Sequence, residues 1–234
     1  MIPNDPPAQA AVSDDAAEPV LQVHALGKSY AGAPVFAGLS LSLRRGEFVA
    51  LLGESGVGKS TLLNCVAGLD RADQGAIRLV GQDLARLDDD ALARLRRQHV
   101  GFVFQAFHVL PHLSVAENVE LPLRLLGRPD AARVAQVLAA VGLQGLGARL
   151  PAQLSGGQLQ RVAIARAVVH APALILADEP TGNLDPATAQ RVLDALSTQV
   201  REAGAACLLV THSSAAAARA DRVLRLAADG IHPA

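Results

Sequence analysis

An α/β fold is predicted, with a parallel sheet core interrupted by an all-helical insertion. Three observations predict it. Short apolar strand runs alternate with helix patterns at both ends of the chain. That alternation disappears between about residues 106 and 170. Half of the 234 residues are hydrophobic but only 3% are aromatic, so the core is aliphatic, as suits a Val/Leu-rich sheet covered by Ala-rich helices.

Residues 1–18, rich in Pro, Ala and Asp, read as a flexible tail, which leaves 19–234 as one domain. Strands are expected at Val20–Ala25, Leu39–Leu43 and Glu47–Leu52, the last running into Gly53. A helix follows from Lys59 to about Ala67, then a strand at Ala76–Val80, an Arg-rich amphipathic helix near Asp89–Arg97 and a strand at Val100–Phe104. In the middle stretch Ser114–Leu126 is helix-like despite Pro122, Ala131–Val141 has apolar residues at helical spacing, and a third helix spans about Gly157–Val169. Alternation resumes with strand Ala173–Ala177, helix Pro186–Glu202, strand Ala206–Val210, helix Ser213–Ala220 and strand Arg222–Leu226. Gly127, Gly142 and Gly204 stand where helices should stop.

Composition excludes several classes. A charged fraction of 18% with abundant aliphatics is unlike a disordered chain, and a net charge of −1 is unlike a broad basic face for nucleic acid. Cys65 and Cys207 sit in apolar stretches and read as small buried hydrophobes of a reducing compartment. The first residues lack the basic and apolar regions of a secretory signal, and no run of 18 apolar residues occurs, so a cytoplasmic location is expected. His99, His108 and His112 are loosely clustered without a carboxylate or Cys at ligand spacing, which argues against a metal site. Lys28 and Lys59 are the only lysines among 21 basic residues, and Tyr30 is the only tyrosine.

Gly53-Glu54-Ser55-Gly56-Val57-Gly58-Lys59-Ser60 fits G-x-x-x-x-G-K-[ST] between an apolar strand and a helix. Small glycines let successive N–H groups turn inward around phosphate oxygens, and the helix N-terminus adds its positive dipole end. Lys59 supplies a compact charge for the β- and γ-phosphates, the Ser60 hydroxyl can ligate Mg²⁺, and Thr61 extends the same turn. The strand ending Leu176-Ala177-Asp178 delivers an acid at its carboxyl edge, where ligands of open α/β sheets bind. Asp178 is the expected Mg²⁺ partner, and Glu179 next to it is placed to polarise a water for attack on the γ-phosphate. A GTPase would need Asn/Thr-Lys-x-Asp, which neither lysine allows, and the helical middle lacks the Arg-rich lid of a small-molecule kinase.

Leu154-Ser155-Gly156-Gly157-Gln158 then resembles the LSGGQ signature of the ATP-binding-cassette (ABC) ATPases. The resemblance runs from about Val20 to Leu226, with motifs in family order and gaps of 46, 50, 23 and 34 positions between Lys59, Gln105, Ser155, Asp178 and His212. It implies an ABC cassette with an antiparallel β subdomain and an inserted helical subdomain at about 106–170. It also implies roles. Tyr30 matches the aromatic that stacks on adenine, and Gln105 the Q-loop glutamine that touches Mg²⁺ and senses a membrane partner. Ser155, Gly156, Gly157 and Gln158 would face ATP bound by a second copy, so that a head-to-tail homodimer forms with ATP. Asp185 resembles the D-loop aspartate, and His212 the switch histidine that contacts the γ-phosphate. Leu159 and Ser213 depart from the usual family residues without removing a catalytic group.

Within that family, Val100–Gln105, Glu117–Pro122 and Ala177–Asp185 look like the lipoprotein-release and macrolide-export group, and in particular a branch that pairs with large predicted permeases. The implied activity is ATP hydrolysis with Mg²⁺, driving a separate integral-membrane permease from the cytoplasmic face of the cell membrane, with Ala106–Leu123 receiving the permease. An envelope-regulating ABC ATPase of the cell-division type, which moves no substrate, is the alternative.

Overall fold

A computed structural model describes residues 18–54, 56–227 and 230–234. Ser55 and residues 1–17 of the expected tail lie outside the described residues. Two sheets form. β1 (Leu21–Tyr30), β2 (Ala33–Leu43), β4 (Gln74–Leu79) and the short β5 (Gln82–Asp83) make an antiparallel sheet in the order β2-β1-β4-β5. β3 (Phe48–Leu52), β6 (Val100–Val103), β7 (Leu174–Asp178), β8 (Ala206–Thr211), β9 (Arg222–Ala227) and β10 (Gly230–Pro233) make the second sheet, ordered β10-β9-β3-β8-β7-β6. Its strands run parallel except β10, which folds back on β9.

The central strands show why their sequences are continuously apolar. Along β7, Leu174 and Leu176 enter one core cluster while Ile175 and Ala177 enter the other; along β8, Leu208 and Val210 oppose Cys207 and Leu209. Side chains alternate across a strand, so a strand covered on both faces needs an apolar residue at every position. One face is covered by α1 (Lys59–Val66), α2 (Asp89–His99) and the inward residues of the antiparallel sheet. The other is covered by α5 (Gly156–Val168) and α6 (Pro186–Ala203). Burial pushes the Cys65 thiol up to about 11 and raises that of Cys207 further, so both are held as thiols.

Between β6 and β7 the chain forms α3 (Val115–Leu125), α4 (Ala131–Ala140) and α5 without a strand. Ser114 and Glu117 form a reciprocal capping box that starts α3. Asn118, fully buried on α3, accepts from Leu110 N and donates to the carbonyls of Leu110, Leu113 and Ser114, which fastens the preceding irregular segment to the helix. α6 ends at Gly204 in a left-handed conformation (φ 59°), where the Cβ of any other residue would be strained.

Several boundaries differ from expectation. β1 continues to Tyr30, because Gly27, Lys28 and Ser29 still pair with β2 or β4 through register shifts although they break the apolar alternation. β2 starts at Ala33 rather than Leu39, and β5 and β10 were not anticipated. The helix expected at Ser213–Ala220 is a single turn, α7 (Ser214–Ala217), with Ser213 as its cap.

Candidate functional site

The cleft at the carboxyl ends of β3 and β7 gathers most of the motif residues. From the phosphate-loop segment, Gly56, Gly58, Lys59, Ser60 and Thr61 line it. Tyr30, Gln105, Asp178, Glu179 and His212 complete the wall, together with Val35 of β2. Val57 packs partly into the core, and Gly53 and Glu54 contribute backbone carbonyls rather than side chains. Ser55, also expected here, lies outside the described residues.

Gly58 is the cap of α1, with φ 102°; a Cβ there would stand 2.7 Å from Val35 Cγ1 and 2.9 Å from Phe36 Cδ1. Glycine is therefore required twice, by the left-handed backbone and by the close approach of β2. The Lys59 ammonium, only 8% exposed, donates to Gly53 O (2.8 Å) and Glu54 O (2.9 Å), so it is drawn back across its own loop. Ser60 Oγ donates to Asp178 Oδ2 at 2.8 Å. Burial raises the Asp178 carboxyl above the usual range; the Ser60 hydrogen bond and Lys59 oppose the rise and adjacent Glu179 adds to it.

Glu179 directly follows β7 and has a left-handed backbone, φ 45°, held by a bond from its N–H to Val210 O (2.9 Å). Its carboxylate, 14% exposed, accepts from Thr211 Oγ1 (3.1 Å) and stands 2.8 Å from His212 Nδ1. A carboxylate can only accept, so Nδ1 carries the shared hydrogen and Nε2 is left for another partner. Glu179 is thus aimed into the cleft by two residues at the end of β8. Gln105 Nε2 donates to Asn183 Oδ1 (3.3 Å), and Asn183 Nδ2 donates back to Gln105 O (3.4 Å), tying the end of β6 to the segment after Glu179.

The signature residues stand elsewhere. Ser155, Gly156, Gly157 and Gln158 do not line this cleft; they begin α5. Ser155 caps that helix, and Gln158 Oε1 accepts from Ser155 N at 2.9 Å, so the serine and glutamine form the helix's own capping box. Gly157 lies against the first turn of α6: an added Cβ would come within 2.2 Å of Thr188 Cγ2. Asp185 is likewise outside the cleft and caps α6, with Oδ1 accepting from Thr188 N at 3.0 Å.

Thr211, Asn183, Val35 and Asp70 were not singled out from the sequence. Thr211 adjoins a histidine already chosen, which is the one signal that pointed toward it. Asp70 receives the Tyr30 hydroxyl at 2.5 Å and lies 40 positions away. Among the described residues no helix is long and apolar enough to cross a membrane.

Comparison with known proteins gives four concordant likenesses. The sequence model of the family described as "ABC transporter" matches residues 36–182. The chain is 48% identical over 217 residues to the uncharacterized ABC transporter ATP-binding protein YbbA of Escherichia coli, covering 90% of this chain and 95% of that one. It is 49% identical over 222 residues to the lipoprotein-releasing system ATP-binding protein LolD of a Ruegeria species, covering 92% and 97%. Among solved structures it is similar to the dimeric ATP-binding cassette MJ0796 in a post-hydrolysis state with ADP and Pi, at 36% identity and a TM-score of 0.81, covering 90% and 96%.

Proposed function

This chain belongs to the ABC transporter family as an ATP-binding, ATP-hydrolysing cassette, and on that premise we propose that two copies close head to tail around ATP and drive a separate membrane permease of the lipoprotein-release or macrolide-export kind. The observation that carries the dimer is a separation within one chain. The phosphate loop, Asp178, Glu179 and His212 share a cleft, while Ser155 and its neighbours begin a helix outside it. A helix N-terminus attracts anions, so the partner's α5 would bring a second positive helix end to the phosphates held by the first chain's loop. The similar cassette MJ0796 is dimeric, and the LolD relative is named for lipoprotein release.

In this reading Lys59 and the backbone N–H groups of Gly56, Gly58, Ser60 and Thr61 hold the β- and γ-phosphates, and Tyr30 stacks on adenine. Glu179 accepts the proton of the attacking water, and His212 holds Glu179 through Nδ1 while Nε2 faces the γ-phosphate. Ser60, Asp178 and Gln105 are hard oxygen donors gathered on one wall, which suits Mg²⁺. When bound it would neutralise charge on the transferring phosphate. Asp185 acts by fixing the start of α6, against which Gly157 rests. The permease would dock on Ala106–Leu123 from the cytoplasmic side.

Mixing two inactive variants tests the shared site. Lys59→Ala and Ser155→Arg chains should each lack ATP turnover alone. Their mixture should regain activity, since one interface then combines an intact loop with an intact signature. Failure of every mixing ratio to restore turnover would reject the shared-site reading.

A further inference from the structure

The scarcity of lysine acquires a structural meaning at Tyr30. Lys59 lines the cleft, and the other lysine, Lys28, stands behind the tyrosine, its ammonium 4.9 Å from the ring centre. Lys28 is 9% exposed and donates to Asp70 Oδ1 (2.9 Å) and to Arg71 O (2.7 Å). The second oxygen of the same carboxylate, Asp70 Oδ2, accepts from the Tyr30 hydroxyl. We propose that Lys28 and Asp70 are positioning residues for nucleotide-base recognition, backing Tyr30 so that its ring offers one fixed face to the base. The inference rests on the stacking role of Tyr30 and adds two residues to it.

Tyr30 ends β1 and is 49% exposed. A half-exposed aromatic ordinarily samples several rotamers and loses that freedom when a ligand binds. Here both variable torsions are constrained before any base arrives, because the hydroxyl is tied down and one face is capped by a cation. Tyr30 lines the cleft together with Val35, Gly58 and Thr61. A second staple accompanies the first: Asp73 Oδ2 accepts from Ser29 N (2.6 Å) and Ser29 Oγ (2.7 Å). The end of β1 is thereby fastened to residues 70–73, the segment that follows α1, and α1 begins with Lys59. The base platform and the phosphate loop are carried on one rigid piece, which sets the distance between them. The same bonds act on the ionisable groups: that from Lys28 and then that from Tyr30 hold the Asp70 carboxyl below the usual range, and the bond to Asp70 raises the Tyr30 phenol.

ATPase kinetics on the purified chain, with inorganic tripolyphosphate as a base-free competitor, test this. Lys28→Met and Asp70→Asn should each raise the KM for ATP about three- to ten-fold with kcat retained, leave the inhibition constant of tripolyphosphate unchanged, and be corrected for the lysine by Lys28→Arg. Phenolate absorbance of the sole tyrosine should appear at lower pH in Asp70→Asn. Equal weakening of ATP and tripolyphosphate, or an unchanged KM in both variants, overturns the proposal. Tyr30→Ala separates the two levels: if it raises KM while Lys28→Met and Asp70→Asn do not, the backing role alone fails, and if it leaves KM unchanged the stacking role falls and takes the backing role with it.

Discussion

Ser60 Oγ and Asp178 Oδ2 lie 2.8 Å apart although 118 positions separate them in the chain. That bond joins the first turn of α1 to the end of β7, and it explains why two distant motifs form one site. It also leaves Asp178 in a costly position. Burial is the largest influence on its carboxyl, and the Ser60 hydroxyl offsets only part of it.

The sign of that shift gives a stability prediction. With the folded pKa above the unfolded one, the folded protein binds more protons between the two values, and stability falls as pH rises through that window. Asp178→Asn keeps an oxygen for Ser60 and removes the partly buried charge. In the absence of nucleotide and divalent cation its Tm at neutral pH should rise by roughly 2 °C or more, with a flatter dependence on pH through the acid range. A thermal melt series across pH checks this; a Tm at or below that of the parent chain at neutral pH would contradict the burial argument.

Glu179→Gln should reduce ATP turnover by about 10²- to 10⁴-fold while leaving ATP binding in place, because the amide keeps contacts with Thr211 and His212 but cannot take a proton. Phosphate release and equilibrium ATP binding on the same preparation measure the two effects separately.

Lys59→Ala removes the only ammonium lining the cleft among the described residues. ATP affinity should fall by at least about ten-fold, read by equilibrium dialysis with labelled ATP. The chain should still fold, since the two bonds lost are to loop carbonyls at the surface of the site.

Gly157→Ala places a methyl 2.2 Å from Thr188 Cγ2 and should cost about 1–3 kcal/mol in urea unfolding. Thr188→Ser deletes that methyl group and keeps the hydroxyl that Arg191 contacts, so the double variant should recover most of the loss. Additive losses would show that the close approach of α5 and α6 is not the cause.

Tyr30 is the sole tyrosine and the chain has no tryptophan, so its emission reports the base platform without interference. Saturable quenching by ATP, absent with tripolyphosphate, is expected; a signal indifferent to ATP would remove Tyr30 from the binding site.

What could be read from the sequence follows from how local its physics is. The phosphate loop, the strand ending in Asp178 and the start of α5 are each governed by residues a few positions apart, so their sequences announce them. Even the Ser155–Gln158 box is a spacing of three. Lys28 and Asp70 meet across 42 positions, and nothing local in either neighbourhood marks the pair. The end of β1 was missed for a related reason: its last residues are held by cross-strand pairs and bulges, not by apolar alternation. The Ala-rich run after Ser213 shows the opposite error. High helix propensity favours two turns, but beyond Ala217 the backbone bonds tighten to three-residue spacing, Arg219 N to Ala216 O and Ala220 N to Ala217 O, and the element stops after one turn.

The left-handed backbone of Glu179 bears on how this protein can evolve. A residue with a Cβ at φ 45° gives up roughly 1–3 kcal/mol that glycine there would recover, and its neighbour Asp178 carries a partly buried charge that asparagine would relieve. Heat resistance and turnover therefore pull these two adjacent positions in opposite directions. A laboratory lineage screened for thermal survival alone should accumulate replacements at 178 and 179 and become sturdier and inert, whereas a lineage screened for growth dependent on ATP turnover should find its gains elsewhere in the chain.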